Sequence, residues 1–266
     1  MKIDYQETTN DLLARIDIHS KFGSRNIDDW MLHLLDVPQG SRILDVGCGS
    51  GKQCFLFLNA LKGQAEITGG DVSVELLAKA NQENAKNGNP IRFMELDFNQ
   101  RFPFEDDQFD LLTACFTIYY AADIPFTFKE MHRVLKPGGR LFTTGPMPEN
   151  KRLFYEIIQG ATGKPIPPMP GSSRYSSQIL SAAQALFSQV EVHIFENPLV
   201  FDTVEPFLEY TRASLSEDRR LWKDLFDGPD AFERVMGQIS GEAARRLAED
   251  GKLVMTKVVG GFIATK

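Results

Sequence analysis

Short apolar runs alternate with amphipathic segments over the first 145 residues of the chain. The runs read as strands, each is followed by polar or glycine-rich residues, and they occupy 41–46, 65–70, 91–96 and 109–115. Two of the intervening segments, 51–62 and 74–87, carry apolar residues at helical spacing. Strands that alternate with helices in this way predict an α/β fold built on a mainly parallel sheet.

The pattern becomes less regular after residue 145. It predicts a helix, a proline-rich connector and a second helix, followed by two strands, at 149–160, 163–171, 176–187, 190–195 and 253–264. Helical spacing fills most of 202–251, in the segments 204–213, 217–226, 230–239 and 241–248. An insertion of this length is far too long for a hairpin loop, so we expect it to form a helical cap.

Composition and charge restrict the class of protein. The 266 residues are 42% hydrophobic, which predicts one large globular domain or one domain with a cap. A net charge of −7 argues against a nucleic-acid partner, because proteins that bind nucleic acids usually carry a basic face. Three cysteines without C-x-x-C spacing suit a reducing compartment and predict no metal site. Without a long apolar run or a signal pattern, we expect a soluble cytoplasmic protein and no membrane partner.

The glycine-dense turn after the first strand is the best candidate for a ligand site. The apolar run ends at Asp45, Gly47, Gly49 and Gly51 follow at alternate positions, and a helix begins directly afterwards. Glycines permit positive φ and let a ligand lie against the backbone where a Cβ would collide. The start of the helix adds N–H groups that have no partner within the helix. A strand, turn and helix of this kind predict a nucleotide-like ligand.

The spacing of the turn excludes two common nucleotide motifs. Lys52 stands where the dinucleotide pattern G-x-G-x-x-G requires its last glycine. A phosphate P-loop requires glycine in place of Val46 and serine or threonine in place of Gln53. The pattern D-x-G-x-G-x-G at 45–51 instead resembles the first motif of class I S-adenosylmethionine (SAM) methyltransferases. Further hallmarks of that family are F-D-L at 109–111 and L-K-P-G-G at 135–139, so the resemblance covers about 40–145.

The resemblance implies a fold and a division of the chain. The expected fold is a Rossmann-like three-layer α/β sandwich with a mostly parallel seven-stranded sheet, an antiparallel last strand and a helical cap insertion. Residues 37–201 would form the SAM-binding core and 252–266 its last strand. Residues 1–36 would close over the cofactor, with a helix that only packs on the sheet as the alternative, and 202–251 would cap the acceptor pocket.

The resemblance also implies which residues hold SAM. Asp71 lies at the end of the second predicted strand, where a carboxylate can accept hydrogen bonds from both ribose hydroxyls. The alternative role for Asp71 is to cap the next helix. Asp97 would accept from the adenine amino group, unless it is only a solvated acid at a strand end. Many relatives carry asparagine in place of Cys115. The full predicted set is Asp45, Gly47, Cys48, Gly49, Gly51, Asp71, Val72, Asp97, Phe98 and Cys115.

Methyl transfer from SAM depends mainly on aligning the acceptor with the methyl group. A general base is needed only where the acceptor must lose a proton. Tyr119, Tyr120 and His19 are the candidates by placement, and the sequence designates none of them as catalytic. The departure at Cys115 also leaves the inheritance of any base open.

The expected function is methyl transfer to the O or N atom of a small-molecule acceptor. One alternative is a SAM-binding protein without transferase activity, and another is a methyltransferase that acts on protein or RNA. An NAD-dependent oxidoreductase on a similar sheet is disfavoured by Lys52. The sequence leaves the acceptor and the oligomeric state undetermined.

Overall fold

The computed structural model describes residues 17–19, 21–88, 90–166, 169–217, 225 and 230–266. Seven of its strands form a single sheet. In chain order they are β1 (Arg42–Val46), β2 (Glu66–Asp71), β3 (Ile91–Glu95), β4 (Phe109–Cys115), β5 (Leu135–Pro146), β6 (Gln189–Phe201) and β7 (Leu253–Thr265).

The order of the strands across the sheet is β3-β2-β1-β4-β5-β7-β6. The pairs from β3 to β5 are parallel, and β7 runs antiparallel to both β5 and β6. The predicted Rossmann-like sandwich with an antiparallel last strand is therefore confirmed. After β3 the chain crosses the sheet to β4, so the strand order reverses between the neighbouring strands β1 and β4. Open α/β sheets bind ligands at such a switch point, in the crevice beyond the carboxyl ends of the strands.

Helices connect most of the strands. They are α1 (Ile27–Leu35), α2 (Lys52–Ala60), α3 (Val74–Lys86), α4 (Ile124–Val134), α5 (Arg152–Thr162), α6 (Pro170–Ser173), α7 (Leu180–Leu186), α8 (Glu205–Glu217) and α9 (Ala231–Asp250). A π-helical segment, Arg174–Ile179, joins α6 to α7. Side-chain caps begin three of the helices, from Asn26 at α1, Ser73 at α3 and Asp123 at α4.

The later part of the chain departs from the sequence prediction in three places. The helix predicted at 176–187 begins at 170 and includes the π-helical segment. The two helices predicted at 230–239 and 241–248 form one helix, α9, because a lone glycine at 241 costs too little to end a well-packed helix. β6 extends six residues beyond the predicted 190–195, because it pairs with β7 along its whole length. Of the predicted helix 217–226, all but 217 and 225 lie outside the described residues.

Two apolar cores cover the two faces of the sheet. Successive strand residues point to opposite faces, and Ile43 accordingly packs in a core with Met31 of α1, whereas Leu44 packs in another with Phe128 of α4. Helices therefore lie on both faces of the sheet, which makes three layers.

A third core lies where the long ends of β6 and β7 meet α5, α8 and α9. Phe201 of β6, Met255 of β7, Ile157 of α5, Phe207 of α8 and Ile239 of α9 are all buried in it. The described part of 202–251 therefore packs on α5 as well as on the sheet. The division into core and cap stays a prediction.

The described part of the N-terminal segment docks against β6 and the third core. Ile18 is buried in that core, and Asn197 of β6 accepts hydrogen bonds from the N–H groups of Ser24 and Arg25. Residues 1–16 of the predicted closing segment lie outside the described residues. Within the described ranges, no helix has the length and apolar character needed to cross a membrane.

Candidate functional site

The glycine-dense turn between β1 and α2 is fastened to the end of β2. The N–H groups of Gly47 and Cys48 both donate to the carbonyl oxygen of Gly70, at N···O distances of 2.7 and 3.0 Å. The N–H of Gly51 donates to the carbonyl of Cys48 at 2.9 Å, which closes the turn. Residues 47–51, called the glycine loop below, therefore have a fixed shape at the carboxyl end of β1.

The three glycines of this loop all have positive φ but serve different purposes. A Cβ on Gly47 would lie 2.2 Å from Oγ1 of Thr117, and one on Gly51 would lie 2.7 Å from the ring of Phe93. Packing therefore excludes a side chain at both positions. A Cβ on Gly49 would come no closer than 3.9 Å to any neighbour. Gly49 is thus the glycine whose open side a ligand can use.

The carboxylate of Asp71 holds the loop from the end of β2. Its Oδ2 accepts from the N–H of Gly49 and its Oδ1 from the N–H of Ser73, both at 2.8 Å. The side-chain cap of α3 is Ser73, so the capping role considered for Asp71 falls to its neighbour. Each carboxylate oxygen can accept more than one hydrogen bond. Asp71 can therefore accept hydrogen bonds from hydroxyl groups of a ligand while it holds the N–H of Gly49.

Apolar and acidic groups continue along the same edge of the sheet. Val72 is 55% exposed, which leaves an apolar surface beside Asp71. Asp97 follows β3, and its Oδ1 accepts from both the backbone and the side-chain amide of Asn99, at 2.8 and 2.9 Å. Phe98 packs half-buried against the core around α4. These residues follow β2 and β3, which lie on one side of β1 and its glycine loop in the strand order.

Asp45 is buried beneath the loop. Its Oδ1 accepts from Oγ1 of Thr113 at 2.6 Å, and its Oδ2 lies 3.6 Å from Sγ of Cys54. Burial raises the pKa of the Asp45 carboxyl to about 6, and the hydrogen bond from Thr113 limits that rise. Asp45 joins β1, β4 and α2 inside the protein, while its contact with the cofactor stays a prediction.

The three cysteines lie around this site, and the thiols of Cys54 and Cys115 have raised pKa values. A hydrogen bond with Cys48 and burial both raise the pKa of Cys54, and burial raises the pKa of Cys115. Thiols of raised pKa are poor nucleophiles at neutral pH. Cys115 ends β4, and its Sγ lies 3.9 Å from Sδ of Met31. Among the described residues, no group of three or more His, Cys, Asp or Glu could hold a metal ion.

The candidate bases are not brought together by the structure. Tyr119 and Tyr120 lie in the short 3₁₀ turn Ile118–Tyr120 after β4, with ring centroids 4.7 Å apart. His19 instead stacks on Tyr210 of the third core, at 6.1 Å. The tyrosines therefore lie on the side of the switch point, and His19 lies against the third core. A catalytic role for any of them stays a prediction.

Sequence reasoning missed one residue at this edge. Phe116, directly after β4, has φ +57, and the residue is 39% exposed. A bulky residue rarely takes positive φ. No local sequence pattern signals that conformation, because glycine, asparagine and aspartate are the residues that usually adopt it.

A model of a family described as "Methyltransferase domain" matches residues 43–139. The matched range includes the glycine loop, Asp71, Asp97 and Cys115. Over residues 43–139 the chain is therefore similar to a methyltransferase domain.

Curated relatives agree with this assignment. The demethylmenaquinone methyltransferase of Staphylococcus haemolyticus is 34% identical over 145 residues, which cover 51% of this chain and 60% of that protein. The enzyme of the same description from Staphylococcus carnosus is 32% identical over 137 residues, covering 49% and 56%. The chain therefore spans less than two thirds of the length of either relative.

Solved structures agree on the fold of the methyltransferase domain. The YcgJ protein of Bacillus subtilis has a TM-score of 0.57 at 17% identity, covering 90% of this chain and 97% of that one. Phosphoethanolamine N-methyltransferase 2 of Haemonchus contortus, in complex with SAM, has a TM-score of 0.58 at 20% identity, covering 97% and 57%. At these identities the likeness concerns the fold alone.

We expect Asp71→Ala to weaken SAM binding by ~1–3 kcal/mol, or about 5- to 150-fold, measured by calorimetry. The variant removes the predicted ribose acceptor and the partner of the Gly49 N–H. Glu75→Gln is the matched control, since this exposed acid of α3 pairs with Lys79 and should leave the dissociation constant within about twofold. An unchanged constant in Asp71→Ala would show that the ribose assignment is wrong.

We expect Gly49→Val to abolish SAM binding, because the branched side chain fills the open side of the loop. Gly63→Val is the control, since Gly63 has φ +74 and nothing within 4 Å of its missing Cβ. Both variants force a branched residue to positive φ and should lose similar stability, about 1–2 kcal/mol. Normal affinity for SAM in a folded Gly49→Val protein would contradict the prediction that SAM lies against the open side of Gly49.

The raised pKa of Asp45 predicts a pH dependence of stability. Between its unfolded pKa of about 4 and its folded value, the folded state binds more protons than the unfolded state. The free energy of unfolding should therefore fall as pH rises through this window, by up to about 3 kcal/mol. Asp45→Asn cannot lose a proton, so urea unfolding between pH 4 and 7.5 should lack this component. Parallel pH profiles for the two proteins would refute it.

Proposed function

We propose that the chain is an enzyme that transfers the methyl group of SAM to the O or N atom of a small-molecule acceptor. The observation that carries the proposal is the open side of Gly49. Its N–H is held by Asp71, the loop that contains it is fastened to Gly70, and a Cβ at that position would fill otherwise empty space. The site therefore fits a ligand that lies directly on the loop backbone.

The predicted SAM residues follow the order of the strands. Asp97 and Phe98 follow β3 and would hold the adenine, Asp71 and Val72 follow β2 and would hold the ribose, and the glycine loop follows β1 and would hold the amino-acid end. When bound, SAM would supply an activated methyl group on a sulfonium that is itself a good leaving group. This chain's own residues then have to orient the acceptor and exclude water.

The acceptor side of the site would lie beyond β4 and β5. Tyr119, Tyr120 and Met147 follow these two strands and belong to one apolar core or pack against it. An aromatic and apolar surface suits a compact organic acceptor better than an RNA backbone, which requires basic contacts. The net charge of −7 supports the same choice.

A second candidate acceptor comes from the curated relatives, which are described as demethylmenaquinone methyltransferases. Identity of 34% over half of this chain supports transfer to a related quinol, which would methylate carbon. About half of the chain lies outside this match, and the match covers 60% of that relative. The small O- or N-acceptor therefore remains the first proposal.

The proposal is tested by incubating the purified protein with SAM labelled in its methyl group. Separate incubations receive a reduced demethylmenaquinone, a small-metabolite extract, and a fraction of protein and RNA. Mass analysis should find label on an oxygen or nitrogen of a small metabolite. Label on the quinol carbon would favour the second candidate, and label in the macromolecular fraction would overturn both. Binding of SAM without any labelled product would favour a binding protein, and calorimetry with NAD excludes or reveals an oxidoreductase.

A further inference from the structure

The backbone at Phe116 is unlike any other apolar position in the described parts of the chain. Five non-glycine residues there have positive φ, and the other four are charged residues at turns or helix ends: Asp36, Lys62, Asp107 and Lys151. A bulky side chain at positive φ is a genuine outlier, and such outliers cluster at functional sites.

Neighbours on both sides hold Phe116 in this conformation. Its own N–H donates to the carbonyl of Thr144 in β5 at 2.9 Å, which extends the β4–β5 pairing by one residue. The next residue, Thr117, fills the space beside Gly47, where even one added carbon would collide with it at 2.2 Å. The turn 115–117 therefore lies between β5, through the hydrogen bond of Phe116, and the glycine loop, through the side chain of Thr117.

The ring of Phe116 stays partly in solvent at the carboxyl end of β4. Six large apolar side chains are exposed in the described ranges, and Phe116 is the one aromatic among them; the others are Val72, Val74, Val192, Ile194 and Val254. Val72 and Val74 flank the nucleoside half of the site, next to Asp71. Phe116 lies on the other side of the glycine loop, because β4 is the neighbour of β1 opposite β2.

The chemistry of the ligand gives an exposed aromatic ring a purpose here. The sulfonium of SAM carries a positive charge but has no N–H or O–H group, so it cannot be recognised through donated hydrogen bonds. The face of an aromatic ring attracts such cations, as in the sites that bind quaternary ammonium groups. The acid nearest to the glycine loop in β1, Asp45, is buried and engaged by Thr113 and Cys54.

We propose that Phe116 binds the sulfonium of SAM through its ring and distinguishes SAM from its neutral product, S-adenosylhomocysteine. Phe116 directly precedes Thr117, whose side chain lies beside Gly47 in the loop that would hold the amino-acid end of the ligand. The product shares every other group of SAM except the charge and the methyl. Phe116 thus favours the substrate and assists release of the product. This inference rests on the proposed function only in its choice of ligand.

The test compares the binding of SAM and S-adenosylhomocysteine by calorimetry. Phe116→Leu keeps an apolar side chain and removes the ring, and it should weaken SAM binding about 3- to 30-fold, the range for a partly desolvated cation–π pair. The same variant should change the affinity for S-adenosylhomocysteine less than about twofold, since a neutral thioether gains little from the ring. Sinefungin, whose amine is protonated at neutral pH, should behave like SAM.

Two further variants separate recognition of charge from simple packing. Phe98→Leu removes another predicted contact, but one with the adenine that both ligands share, so it should weaken both equally. Phe116→Trp should preserve or increase the preference for SAM, because indole is the best cation–π partner. This variant keeps the proposal testable if Phe116→Leu does not fold, which circular dichroism will show.

Three results would overturn the inference. Equal losses for SAM and its product in Phe116→Leu would mean that the ring only packs. Unchanged affinities for both ligands in Phe116→Leu would mean that Phe116 does not contact the ligand. A preference for SAM over S-adenosylhomocysteine that stays constant across Phe116→Trp and Phe116→Leu would mean that the ring does not recognise the charge. Failure of the unaltered protein to bind either ligand would instead overturn the proposed function, so the two failures are distinguishable.

Discussion

The interaction on which the site depends is the pair of hydrogen bonds that Asp71 accepts from Gly49 and Ser73. One carboxylate at the end of β2 thereby joins the glycine loop to the start of α3. The carbonyl of Gly70 holds the same loop through two further N–H groups. Because these anchors lie within the protein, the loop keeps a shape that suits a ligand even in the absence of one, and binding need not pay to order it.

The crowding around the loop is equally specific. Thr117 from the end of β4 and Phe93 from β3 occupy the space where side chains at 47 and 51 would lie. The position between them, Gly49, faces open space. The row of three similar glycines therefore combines two that packing requires with one that faces open space, where the ligand is predicted to lie. Thr117, which lies beside Gly47, directly follows Phe116 and its positive φ.

Strands β1 to β5 have the parallel arrangement that the resemblance implies. The chain after β5 adds β6, β7 and a third core. Long β6 and β7 strands reach beyond the rest of the sheet and build a third core with α5, α8 and α9. The N-terminal segment is fastened to this extension through Asn197. The N-terminal segment and the described helices of 202–251 therefore share a core that is distinct from the cores on the two faces of the sheet.

The sequence by itself determined the positions of most strands and the placement of Asp71 and Asp97 beyond neighbouring strands, because hydrophobic periodicity is local and parallel strands deliver their carboxyl ends to one edge. The antiparallel last strand followed from the resemblance to the family. Only the tertiary structure decided that Gly47 and Gly51 are packing glycines, that α9 continues through Gly241, and that Phe116 takes positive φ. Each of these depends on contacts with residues distant in sequence, and no local pattern encodes such contacts.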